Sequence, residues 1–141
     1  MTDVQRAIRL LEQGDLTVAV CKGEETHTDT RRGVAPLLGW LDTAANLAGF
    51  SAADKVVGKA AAFLYLRLEI AAVYAGVISQ PAYDLLTAHG VDTTYGQLVP
   101  AIYNRAGDGY CPMETVTLPL TESVEAEKAI RIRLAELQSA K

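Results

Sequence analysis

Apolar and polar positions alternate along this chain in two periods, and the switches between them outline its elements. Residues 2–13 carry Val4, Ala7, Ile8 and Leu11 on one face of a 3.6-residue repeat, with Thr2 and Gln5 spaced as a capping box, which predicts a helix. Gly14 is expected to end it by taking a left-handed conformation. "LTVAVCKG" then reads as a strand and "EETHTDT" as its partner, across a turn at Lys22-Gly23. "VAPLLGWLDTAANLAG" predicts a second helix, with Pro36 in its first turn and Gly49 past its end.

The next segment changes period midway. Asp54 to Val57 read as extended, Gly58 as the turn and Lys59 to Leu68 as helix. That helix is apolar nearly all round, which places it in the interior against a sheet. "IAAVYAGVIS" is continuously apolar and predicts a buried strand. Ser79 is positioned to cap a helix over "QPAYDLLTAH", closed by Gly90, and "VDTTYGQL" supplies another strand. After a polar loop at 104–110, Pro112 opens a short helix or turn. A final helix is expected over 122–139, with Glu122, Glu125 and Glu127 early and Lys128, Arg131 and Arg133 later, in accord with the helix dipole. Short connections between alternating strands and helices predict an α/β protein, a three-layer α/β/α arrangement on a mixed sheet of about five strands.

The 141 residues are expected to form one domain, spanning 1–141, with no internal repeat or linker. Half the chain is hydrophobic and 21% is charged, so it should be globular. The richest apolar stretch is broken by Lys59, Arg67 and Glu69, which argues against a membrane span, and the N-terminus lacks the pattern of a signal peptide. With Cys21 and Cys111 far apart and no disulfide framework, the expected location is the cytoplasm. A net charge of −4 argues against a nucleic-acid partner, and the basic pair Arg31-Arg32 reads as a solvated turn.

Three familiar chemistries fail on spacing. Gly58-Lys59 sits where a strand turns into a helix, but no second glycine stands at phosphate-loop distance and Ala60 occupies the place of the magnesium-binding hydroxyl. A helix start still favours anions, so Lys59 is a candidate anion-holding residue, against the alternative that its head simply reaches solvent. Ser51 lacks the flanking glycines of a nucleophile elbow. No metal is expected, because His27 and His89 stand apart, as do the two cysteines; His27 is expected on an exposed strand face and His89 at its helix C-terminus. No cofactor is implied.

"NRAGDGYCPMET" (104–115) holds the strongest single candidate. Pro112 suits a first helical position, which would make Cys111 the N-cap, where the dipole favours a thiolate; Glu114 would leave the same first turn. The opposing reading is a small buried thiol with Glu114 complementing the dipole. Cys21, inside a strand, is expected to be core.

Three stretches, "ADKVVGKAAA" (53–62), "VYAGVIS" (73–79) and "NRAGDGYCPME" (104–114), resemble the bacterial family catalogued as domain-of-unknown-function 1893, which is similar to the cytidine-deaminase-like α/β/α fold. The resemblance runs over most of the chain, from the first helix to "CPME"; the C-terminal helix, from about Thr121, is not aligned with it. Zinc deaminases place a His or Cys ligand and a proton-shuttling Glu at one helix start, and two cysteines from P-C-x-x-C at another. Laid on this chain, the first motif becomes Lys59-Ala60-Ala61 and the second, only approximately, Cys111-Pro112-Met113-Glu114. Ligand and acid/base are both lost, so zinc-dependent deamination is expected to be absent.

The resemblance implies that the two helix starts face one pocket. Lys59 is then expected to take the charge role of the lost zinc, pairing with Glu114 and favouring the Cys111 thiolate. Two functions follow as expectations. One is a small-molecule site, for a nucleoside-like or anionic ligand, with Cys111 and Lys59 as candidate catalytic residues and Asp54, Lys59, Asn104, Asp108 and Glu114 as ligand-binding residues. The other is a non-catalytic interaction or regulatory domain, in which a salt-bridged cluster plugs the old pocket and a homodimer face is the partner surface.

Overall fold

The computed structural model describes residues 1–104 and 106–139, so Arg105 of the polar loop lies outside the described residues. Among the described residues it contains six helices and one five-stranded mixed sheet. Helix α1 (Asp3–Glu12) precedes the hairpin β1 (Val18–Lys22) and β2 (Glu25–Asp29), followed by α2 (Ala35–Asp42). Two crossovers follow: β3 (Ser51–Val57), α3 (Lys59–Arg67), β4 (Ala72–Ser79), α4 (Gln80–Ala88) and β5 (Asp92–Val99). A short α5 (Pro112–Thr117) and a long α6 (Ser123–Ser139) complete it.

The sheet order is β2-β1-β3-β4-β5. Strand β1 runs antiparallel to both β2 and β3, whereas β3, β4 and β5 are parallel and are joined by helical crossovers. Helix α1 covers one face with Ala7 and Leu11 against Cys21 and Ala53. The other face carries the larger core, where α2, α3 and α4 pack and Ile130 of α6 reaches in. Helix α3 is the centre of that core: Ala60 to Tyr65 are all buried, as its uniform apolarity predicts. Helix α6 lies across it, and Glu127 joins Arg67 of α3 at 2.9 Å to Arg131, which in turn meets Asp42 at the end of α2.

Several ends follow the local chemistry expected of them. Thr2 and Gln5 form the capping box, and Ser79 caps α4 through the Ala82 N–H. His89 caps the end of α4, its ring nitrogen 2.9 Å from the Leu85 carbonyl. Others differ. Gly14 is not left-handed, because α1 stops at Glu12 on a right-handed Gln13. Helix α2 ends at Asp42 rather than Gly49, where Ala44 takes a positive φ of 55° and unwinds the chain. Strand β3 begins at Ser51, earlier than Asp54, because its small residues are paired on both sides. His27 is only half-exposed, its ring 5.9 Å from that of Phe50 and 6.4 Å from that of Trp40.

The parallel strands carry a shared kink at Lys55, Gly76 and Gly96, the positions skipped in the otherwise unbroken register. A Cβ on Gly76 would stand 2.8 Å from the Lys55 carbonyl oxygen, and one on Gly96 would stand 2.9 Å from the Gly76 oxygen. Alternation inverts across it. Ala52, Val73 and Ala75 face the large core before the kink, and Val57 and Ile78 face it after. The inversion brings Lys55 and Val56 to the surface and turns the end of β3 into α3. Since backbone cannot move aside as a flexible side chain can, Gly76→Ala should cost about 1–3 kcal/mol in urea unfolding. Gly14→Ala, where a Cβ meets nothing within 4 Å, should be near neutral.

Candidate functional site

The first turn of α3 presents a local problem. Its N-cap is Gly58, which has no side chain to accept from the free N–H groups. Glu114, from the first turn of α5, does so instead: its Oε1 accepts from the backbone N–H of Lys59. Gly58 must be glycine for this, because a Cβ there would lie 2.3 Å from that oxygen. Two helix starts are thereby held together by one carboxyl group, and the glutamate side chain is 1% exposed.

Only one oxygen of Glu114 is used. Its Oε2 is buried and has no hydrogen-bond partner among the described residues. Burial raises the pKa of this carboxyl; the N–H groups of Lys59 and Ala60 and the Lys59 charge pull it down without cancelling the rise. Asp54, in the middle of β3, is also buried, with Oδ2 accepting from the Tyr65 hydroxyl at 2.6 Å and Oδ1 from the Val56 N–H at 3.3 Å. Desolvation pushes its pKa up to about 7, against the lowering effect of these bonds. The Tyr65 hydroxyl is in turn held well above its usual range by burial and by Asp54.

Asp54, Cys111 and Glu114 line one cleft of about 660 Å³. Its walls are mixed, with the apolar Val18, Val34, Ala60, Ile102 and Met113 beside Thr17 and Thr30, and with the exposed Asp15, Arg32 and Lys55. Cys111 is the N-cap residue of α5, with Pro112 following, and is half-buried. The structure thus brings together three of the residues picked from the sequence.

Lys59 is placed differently from expectation. Its ammonium donates to the Leu118 carbonyl at 2.7 Å and lies over the Phe63 ring, 5.5 Å from the centroid. It does not line the cleft, and among the described residues no Lys59–Glu114 ion pair forms within 4.0 Å. The physical reason is that the backbone N–H already occupies Oε1, while the last turn of α5 offers the ammonium a free carbonyl. Burial lowers the lysine pKa, partly offset by Glu114.

Asn104 and Asp108 are also outside the cleft lining. They bond each other at 3.0 Å, and Asn104 also holds the Gly107 N–H at 2.8 Å, so together they shape the loop. The residues of this loop that do reach the cleft are Ile102 and Tyr103. Tyr103 bridges to Tyr110 across the loop's neck, their rings stacked with centroids 5.9 Å apart. Tyr65 and Gly58 carry no motif; an aspartate following small residues in a central strand, needing a buried donor, was the available signal for Tyr65. Among the described residues, no three of His, Cys, Asp and Glu gather in an arrangement that could hold a metal ion. No helix among them is long and apolar enough to cross a membrane.

An α/β/α protein with a carboxyl-lined cleft between two helix starts is what fold and site define. The family model described as "Domain of unknown function (DUF1893)" matches residues 6–134, and the chain belongs to that family. The chain is also similar to the crystal structure of a DUF1893 family protein from Thermotoga maritima, with 29% identity and a TM-score of 0.82, over 96% of this chain and 91% of that one. No curated protein matches.

Two outcomes follow from the site. Asp54 has a folded-state pKa of about 7, above its ordinary 3.8, so the fold favours the protonated acid. Its contribution is complete below about pH 4 and is lost as pH rises towards 7, amounting to a few kcal/mol at about 1.36 kcal/mol per pKa unit. The raised pKa of Glu114 acts in the same direction. Urea midpoints should therefore fall from pH 5 to pH 8, and Asp54→Asn, which keeps an oxygen for Tyr65, should flatten that fall. Gly58→Ala should destabilise by about 2 kcal/mol or more through collision with Glu114; the double variant with Glu114→Ala should recover part of that loss if the clash is its cause.

Proposed function

We propose that this protein is a small-molecule-binding domain of the deaminase-like kind, without zinc-dependent deaminase activity, acting in the cytoplasm. The observation that carries the reading is Glu114, a residue of the cleft lining whose buried Oε2 has no hydrogen-bond partner among the described residues, in a cleft that also contains Asp54. Buried polar atoms ordinarily have partners, and a ligand donor in the cleft is the partner this reading supplies. The deaminase-like ancestry is supported by the mixed five-stranded sheet and by the meeting of the α3 and α5 starts at one cleft.

Zinc does not fit these residues. Lys59 stands at the ligand position, Ala61 at the acid/base position, and Glu114 Oε1 is committed to the backbone of α3. Cys111 is the candidate reactive group, half-buried in the cleft wall. Lys59 is assigned a positioning part, tying the end of α5 to α3 through Leu118.

The second reading, an interaction or regulatory domain that acts as a homodimer, is favoured by the capping of α3 by Glu114, which gives the old pocket a purely structural use. Alkylation of Cys111 by iodoacetamide, in a Cys21→Ala background, separates the two. An open ligand site predicts labelling of the folded protein within about tenfold of the rate in denaturant, since access and thiolate content govern the reaction. Labelling that waits for unfolding would replace the ligand site with the sealed cluster, and oligomeric state would become the next measurement.

A further inference from the structure

We propose that the ligand this cleft takes carries a cationic nitrogen head with adjacent N–H donors, of the amidinium or guanidinium type, and presents it to Glu114. The inference rests on the small-molecule reading above and gives that ligand a chemical class.

Glu114 supplies the geometry. Oε1 accepts from the Lys59 N–H, the Ala60 N–H also acts on the carboxyl, and Oε2 is buried without a hydrogen-bond partner among the described residues. What is missing at this position is therefore a hydrogen-bond donor, and an ionised carboxylate rewards a charged one most. Asp54 is the second carboxyl of the cleft, already holding the Tyr65 hydroxyl and the Val56 N–H. The one lysine near Glu114 is turned away to Leu118 and is not part of the lining. The cations that do line the cleft, Arg32 and Lys55, are exposed, so solvent and salt screen them. The lining also includes the apolar Val18, Val34, Ala60, Ile102 and Met113, which suit a hydrocarbon body attached to the polar head.

Among the described residues, an anion would meet two carboxyls and no buried cation in the lining. A neutral amide would supply a donor, but would not offset the cost of ionising a buried glutamate. A cation does both, so its binding should drive a proton off the site. The groups that share in this titration are Glu114 itself, Asp54 from β3 and Lys59 from α3.

Benzamidine, benzamide and benzoate are one ring with a cationic, a neutral and an anionic head. Each should be tested on the full chain for protection of Cys111 against iodoacetamide and for binding by isothermal titration calorimetry. The expected result is protection by benzamidine, with an affinity at least tenfold above that of benzamide, and proton release seen as a buffer-dependent heat. Glu114→Gln, which retains an oxygen for α3, should remove the preference; should that variant not fold, the proton release of the unaltered protein decides alone. Equal or better protection by benzamide or benzoate would overturn the cationic class while leaving the ligand site standing. A reactive Cys111 that benzamidine fails to protect would overturn it as well. A Cys111 that reacts only on unfolding would remove the ligand site altogether.

Discussion

A buried helix whose N-cap is glycine has free N–H groups and nothing of its own to offer them. In this protein the missing acceptor comes from Glu114, fifty-five positions further along the chain. The whole arrangement of the candidate site depends on that one contact. It sets the distance between the starts of α3 and α5, demands a glycine at position 58, and buries a carboxyl group in the wall of a cleft. It also decides which oxygen is free. A side chain held by a structural task has its geometry set in advance, which is what a binding group requires.

The same contact explains why the local charges are arranged as they are. Two carboxyls are buried without a direct ion pair, and this burial moves both towards the neutral form. The nearby ammonium of Lys59 goes to a helix-end carbonyl, where it meets a dipole rather than a charge. A buried ion pair would have needed both groups desolvated and well satisfied, whereas the backbone N–H groups of α3 hold the glutamate without that demand.

Much of the fold was legible because it is written in short-range signals. The capping box at Thr2, the Ser79 cap, the uniform apolarity of α3 and the Cys111-Pro112 start of α5 all lie within a few residues of what they specify. The site was legible only in part. Cys111 and Glu114 stand at a helix start and Asp54 is an acid inside a strand, each a local signal, but the direction of the Lys59 side chain depends on Leu118, and no local pattern reports where a long flexible stem will turn. The kink at Gly76 and Gly96 was hidden for a similar reason. Each glycine is permissive alone, and only the register places them side by side against neighbouring carbonyls.

The cap on α3 has a consequence for the order in which the chain assembles. The helix at the centre of the core receives its N-terminal acceptor from a segment made much later, after both crossovers have been completed. During synthesis, α3 and the strands beside it must wait with frayed first-turn N–H groups until α5 emerges, and the closure of so long a loop is entropically slow. The final lock on the core is thus also the act that shapes the cleft, so that a chain still missing its last third would present neither.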